Sequence, residues 1–159
     1  MTSTTSSIVI KESNIDELFQ AYSLIPEFKT GDSLLYNIES IKARLSTKQH
    51  CKLLVAIDQT IQEIAAFKVG YGEDDKSTFY IWLSGTTPSY RRRGIGEQLL
   101  KAQEQWAKDQ HYTTVKIKTR NCFKGMLLML IKSDYQIKEC INNQQDEQQS
   151  RIVLDKRIN

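Results

Sequence analysis

Residues 82–100 read WLSGTTPSYRRRGIGEQLL, and that run constrains the chain more than any other. A strand-like start gives way to Pro88 and then to Arg91, Arg92 and Arg93. Gly94-Ile95-Gly96 opens a helix whose apolar residues Ile95, Leu99, Ala102 and Trp106 are spaced 4, 3 and 4. Two glycines let backbone approach a ligand closely. The free amides of a helix's first turn, together with its dipole, make an anion site suited to a pyrophosphate. Arginine beside that turn adds charge-assisted hydrogen bonds. Other phosphate loops fit less well. No GxxxxGK[ST] run exists, and the third glycine of a GxGxxG fingerprint falls on Leu99. A bare GxG is equally compatible with a tight helix entry.

The flanking sequence supplies the context. Ile8 to Ile10 reads as a short strand. Ser13 with Asp16 resembles a capping box for a helix carrying Ile15, Leu18, Phe19, Tyr22 and Ile25, ended by Pro26. Asp32 or Ser33 is the expected cap of a second helix through Leu34, Ile38, Ile41 and Leu45. Residues 52–57 and 61–69 form an expected hairpin, and 78–84 (TFYIWLS) a third strand. After the helix over 94–110, residues 113–119 alternate as a strand. Residues 123–131 form a helix capped by Asn121, and 136–141 with 151–158 close the chain as a hairpin. The order β-α-α-β-β-β-α-β-α-β-β defines an α/β class: one domain over 1–159, a mixed sheet with helices on both faces, and a loose tail over 1–6.

Composition excludes several classes of function. The charged fraction is 26%, but Lys plus Arg exceeds Asp plus Glu only by 22 to 19, too little for a nucleic-acid surface. Cys51, Cys122 and Cys140 form no CxxC or Cys/His cluster, so no metal site is expected. The start carries no signal-peptide pattern and no apolar run reaches the ~20 residues of a membrane span, so the expected compartment is the reducing cytoplasm.

Arg91 to Gly96 also matches the R/Q-x-x-G-x-G/A signature of the GNAT N-acetyltransferase superfamily. Pro88 and Tyr90 fit the family's P-x-Y/W-R-G-x-G run, and Thr119-Arg120-Asn121 its T-x-N position. The chain resembles that family over nearly its whole length. The resemblance implies acetyl-CoA as co-substrate, held at its pyrophosphate by the amides of Arg92, Arg93, Gly94, Ile95, Gly96 and Glu97, with Arg91 contacting the same anion. It implies that Ser84, Gly85 and Thr86 pair with the pantetheine arm as an added strand. A backbone N–H there polarises the thioester carbonyl, and Asn121 touches the pantetheine or phosphate arm. The partners implied are acetyl-CoA and a small-molecule or peptide amine, with a homodimer as a further expectation and neither nucleic acid nor membrane.

The same comparison shows departures. Relatives carry a glutamate base where this chain has Tyr80, which is the catalytic candidate here. No carboxylate lies between Thr78 and Tyr90. The tyrosine expected as acid in the last helix is replaced within MLLMLIKSDY, where Met129 or Leu130 occupies its place. A binding or regulatory module on the same fold is therefore the alternative reading. Cys122 lacks a sequence partner to act as a base. Tyr135, Met126 and Met129 read as packing, and the acidic run Glu73 to Asp75 as a solvated loop.

Overall fold

The computed structural model describes residues 7–31 and 33–159. The expected tail over 1–6 and Asp32 as a helix cap lie outside the described residues. The elements in chain order are β1 (Ile8–Glu12), α1 (Ile15–Ser23), a small hairpin of β2 (Lys29–Thr30) and β3 (Ser33–Leu34), and α2 (Ile38–Ser46). Then come β4 (Gln49–Asp58), β5 (Glu63–Gly72), β6 (Thr78–Thr86), α3 (Ile95–Asp109), β7 (Thr114–Arg120), α4 (Lys124–Lys132), β8 (Gln136–Ile141) and β9 (Arg151–Arg157). The fold class is the expected α/β arrangement. A seven-stranded sheet runs β1-β4-β5-β6-β7-β9-β8, antiparallel throughout except for the parallel pair β6/β7.

Three local expectations are corrected. Asn14, not Ser13, caps α1, accepting from the Glu17 amide at 2.9 Å, while the Ser13 hydroxyl donates to the Glu17 carboxylate. The second helix starts four residues later than Leu34, because Asn37 caps it at the Ser40 amide, 2.8 Å away. Each such cap contributes about 1 kcal/mol. Leu34 and Ser33 belong instead to the small hairpin. Asn121 does not cap α4: Phe123 holds that position without a side-chain bond.

Two apolar layers sandwich the sheet. Leu18, Tyr22 and Ile41 of α1 and α2 pack on Phe67, Val69 and Trp82 from one side. On the other side Leu100 of α3 and Leu130 of α4 pack with Phe79, Ile81, Val115 and Ile117. This follows from period-2 alternation in the strands meeting period-3.6 stripes on the helices.

Lys68 breaks the pattern. It lies in the middle of β5, opposite Leu54 and Ser84, and is 1% exposed, and its side chain makes no hydrogen bond or ion pair among the described residues. Burial pulls its ammonium down from 10.5 to about 8, against the opposing pull of Glu104 on α3. The folded state therefore binds fewer protons than the unfolded chain between those values, so stability climbs as pH rises from 8 to 10.5, by about 3 kcal/mol. Lys68→Met is expected to stabilise the protein by that order at pH 7, with the advantage fading toward pH 10.5. Denaturant unfolding of both proteins across this range checks it; parallel pH profiles would refute the buried-charge account.

Candidate active site

The parallel ladder between β6 and β7 pairs Thr78 with Thr114 and ends at Ile81 with Ile117. Both strands run on, β6 to Thr86 and β7 to Arg120, without bonding each other. On its other edge β6 stays paired to β5, with Ser84, Gly85 and Thr86 opposite Lys68, Phe67 and Ala66. A bulge at Trp82, between Leu83 paired to Val69 and Ile81 paired to Gly70, bends the strand away from β7. The result is an open groove of about 1740 Å³ between the splayed ends, reached by Thr119, Cys122 and Met129 from the β7–α4 side.

The glycine-rich turn closes one end of this groove. Arg92 (φ 62°) and Gly94 (φ 75°) are left-handed, and the first helical bond of α3 runs from the Gln98 amide to the Gly94 carbonyl at 3.1 Å. The amides of Arg92 through Glu97 find no acceptor among the described residues. That is a row of donors at the positive end of a 15-residue helix. Position 94 favours glycine, since a side chain in that conformation costs roughly 1–2 kcal/mol, a cost that Arg92 bears two residues earlier. Position 96 does not: a Cβ there would meet Met129 Sδ and Thr86 Oγ1 at 3.6 Å, an ordinary contact.

The three arginines have different fates. Arg93 lies over the Tyr90 ring, 5.1 Å from its centroid, and the buried Tyr90 donates its hydroxyl to Asp58 at 3.0 Å. That anchors the turn to β4. Arg91 Nε donates to the Thr86 carbonyl (3.1 Å) while its other nitrogens clasp the Glu27 carboxylate at 2.7 and 2.8 Å. Arg92 lines the groove with no ion pair among the described residues. Ser84, Gly85, Thr86, Ile95, Gly96 and Glu97 all reach the groove. A Cβ on Gly85 would collide with Ile25 Cδ1 and crowd Phe28 and Phe67 at 3.1 and 3.3 Å, so glycine there lets the segment after α1 lie close upon β6.

Asn121 is elsewhere. Its side-chain amide donates to the Glu147 carbonyl at 2.9 Å, and it does not line the groove. Tyr80 does line it, edge-on to Tyr71 at 5.5 Å, and burial pushes its phenol up to about 12. Such a hydroxyl keeps its proton at neutral pH; it is a donor rather than a base. Cys122 also reaches the groove, but neither histidine attends it: His50 Nδ1 lies 2.6 Å from the Tyr112 hydroxyl, and His111 is exposed at the end of α3.

Sequence reasoning missed the wall facing β6. Glu27, Tyr36, Arg44 and Lys48 come from the segments around α2 and line the groove with Tyr71 and Trp82. Only the aromatic alternation at Tyr80 and Trp82 signalled it, because the contributions of α2 carry no motif.

Comparison with known proteins agrees with this geometry. Residues 15–127 match the "Acetyltransferase (GNAT) family", well over half of the chain, so the chain belongs to that family. Among solved structures, Ard1 from Thermoplasma volcanium is similar with a TM-score of 0.75 at 17% identity, covering 95% of this chain and 97% of that one. A GNAT family acetyltransferase from Elizabethkingia anophelis with acetyl-CoA bound gives 0.73 at 22% identity, covering 96% and 99%. The ribosomal-protein-S18-alanine N-acetyltransferase from Escherichia coli gives 0.76 at 13%, covering 95% and 94%. At these identities the likeness is one of fold. No curated protein sequence matches the chain.

The clasp between Arg91 and Glu27 has a direct readout. The guanidinium's hydrogen bonds hold the Glu27 carboxyl below the usual carboxylate range. Arg91→Gln is expected to move the Glu27 titration up toward that range in a carboxyl-carbon NMR pH titration. An unchanged midpoint would mean that the pair does not form in solution.

Proposed function

We propose that this protein transfers the acetyl group of acetyl-CoA to a primary amine by direct attack in a ternary complex. The observation that carries the reading is the unpaired half of β6 leading straight into the row of free amides at α3. The likeness to a fold relative with acetyl-CoA bound, and to an alanine N-acetyltransferase, supports it. The amides of Arg92 to Glu97 hold the pyrophosphate, with the Arg92 guanidinium adding charge. Ser84 to Thr86 give the pantetheine arm a strand partner. Arg91 positions the turn by its bonds to Thr86 and Glu27. The three free cysteines suit a reducing, cytoplasmic setting.

In the reaction the neutral amine nitrogen attacks the thioester carbon, and a backbone N–H of β6 stabilises the oxyanion. Collapse breaks the C–S bond, the amine's proton leaves to water, and the thiolate takes up a proton to give CoA. Tyr80, protonated at neutral pH, donates a hydrogen bond to the departing sulfur, and a proton that it passes on is replaced from water, so that the phenol is restored. Tyr80→Phe, which removes only the hydroxyl, is expected to lower kcat ten- to a hundredfold with acetyl-CoA affinity unchanged. Thiol-release kinetics beside calorimetric titration check this; an unaltered kcat assigns the proton to water.

Isothermal titration with acetyl-CoA tests the reading as a whole, and absence of binding up to millimolar concentration would sink it. Gly96→Ala is expected to weaken that binding at least tenfold, about 1.4 kcal/mol. The melting temperature should hold or rise, since the pocket at 96 has room and alanine is the better helix former by ~1 kcal/mol. Parent-like binding would remove position 96 from the phosphate cradle. A second reading, an acyl-CoA-binding regulatory module, is favoured by α4 giving the groove Met126 and Met129 rather than a phenol. Binding without thiol release against any amine would decide for it.

A further inference from the structure

The wall of the groove facing the nucleotide end has a composition that restricts what can lie against it. Tyr36 stands edge-on to Trp82 with ring centroids 5.3 Å apart, and Tyr71 is 6.4 Å from Trp82. Cations already cover these rings. Arg44 sits 4.5 Å from the Trp82 centroid, Lys48 5.1 Å from Tyr71, and both Lys116 and Lys118 5.4 Å from Tyr80.

Lys116 is neutralised by an ion pair with Glu73. Arg44, Lys48 and Lys118 line the groove and make no ion pair among the described residues. The acids at the rim are charged but none pairs with these three cations. Glu73 is held by Lys116, and Asp74 and Asp75 lie on the exposed loop after β5, where the Ser77 and Thr78 amides and the Thr78 hydroxyl fix the Asp75 carboxylate. A cationic ligand would find the ring faces taken and three like charges waiting. A ligand with an anionic group would find donors whose other side is shielded from water by aromatic carbon, where charge–charge attraction is stronger.

We propose that the acceptor amine carries an anionic group, a carboxylate or a phosphate, held by Arg44 and Lys48 against the wall of Tyr36, Tyr71 and Trp82. The inference rests on the acetyl-transfer reading above. It also bears on the missing base. Positive charges near a bound amine disfavour its ammonium form, so Lys118 and Arg44 enlarge the neutral, nucleophilic fraction without a carboxylate beside it. The reaction stays balanced as written: the displaced proton goes to water.

Trp82 reports on the wall directly. In a Trp106→Phe background it is the remaining tryptophan of the two in the chain, and its fluorescence is titrated in CoA-saturated protein. The probes are L-phenylalanine against L-phenylalaninamide, O-phosphoethanolamine against ethanolamine, and putrescine. At least one anionic amine is expected to bind tenfold or more tightly than its counterpart lacking the anion. The stronger of the two pairs tells carboxylate from phosphate. Arg44→Gln and Lys48→Gln should each cut that preference at least threefold, with the anion-free amine bound no more weakly than by the parent. Equal or tighter binding of putrescine or the anion-free amines by the parent overturns the proposal, as does no saturable response to either anionic amine. Lys48 is exposed, so its variant decides the matter if Arg44→Gln melts early. Failure of acetyl-CoA to bind in calorimetry would instead strike the acetyl-transfer reading, and the same titration of ligand-free protein still judges the anion preference.

Discussion

Everything in the groove depends on a ladder that stops. After four residue pairs the parallel bonds between β6 and β7 end, though both strands continue. Each strand keeps its outer partner, β5 for one and β9 for the other, so splaying does not cost the sheet its integrity. What it leaves is a half-strand with bonding capacity on one side, in a cleft closed by the start of α3. Unsatisfied backbone groups are expensive when buried and useful when they face a ligand. Here they face the groove.

The turn at residues 91–96 and the helix it opens were legible because a left-handed glycine and a helix entry leave a fixed signature in sequence. The strands were legible for a similar reason: TFYIWLS is a continuous β-branched and aromatic run, as a strand covered on both faces requires, and TTVKIKT alternates. What stayed hidden was set by distant contacts. Ser13 looks like a cap in sequence, but Asn14 is the residue that reaches the Glu17 amide. Asn121 stands at a motif position, yet the loop before β9 offers its amide a nearer acceptor in the Glu147 carbonyl. Bulges such as Trp82 depend on the register of β5 as much as on β6 itself.

The aromatic and cationic wall of the groove was the least legible part. Arg44 and Lys48 look like solvated charges at the end of a helix, and nothing in their neighbourhood distinguishes them from Lys42. Only folding sets them over Trp82 and Tyr71. Lys68 is the converse case. In sequence it interrupts an apolar strand, as an exposed position would, and the fold buries it completely. The chain thus buries one lysine within the sheet, beneath the groove, and sets another over an aromatic ring, for reasons of packing that local pattern does not record.

Gly85 couples two parts of the groove. A Cβ there would meet the tips of the Ile25 and Phe28 side chains, and the segment that carries them is tied through Glu27 to Arg91 in the turn before α3. A larger residue at 85 would have to displace those side chains first. Packing under β6 and the setting of the 91–96 turn therefore answer to the same short stretch of chain.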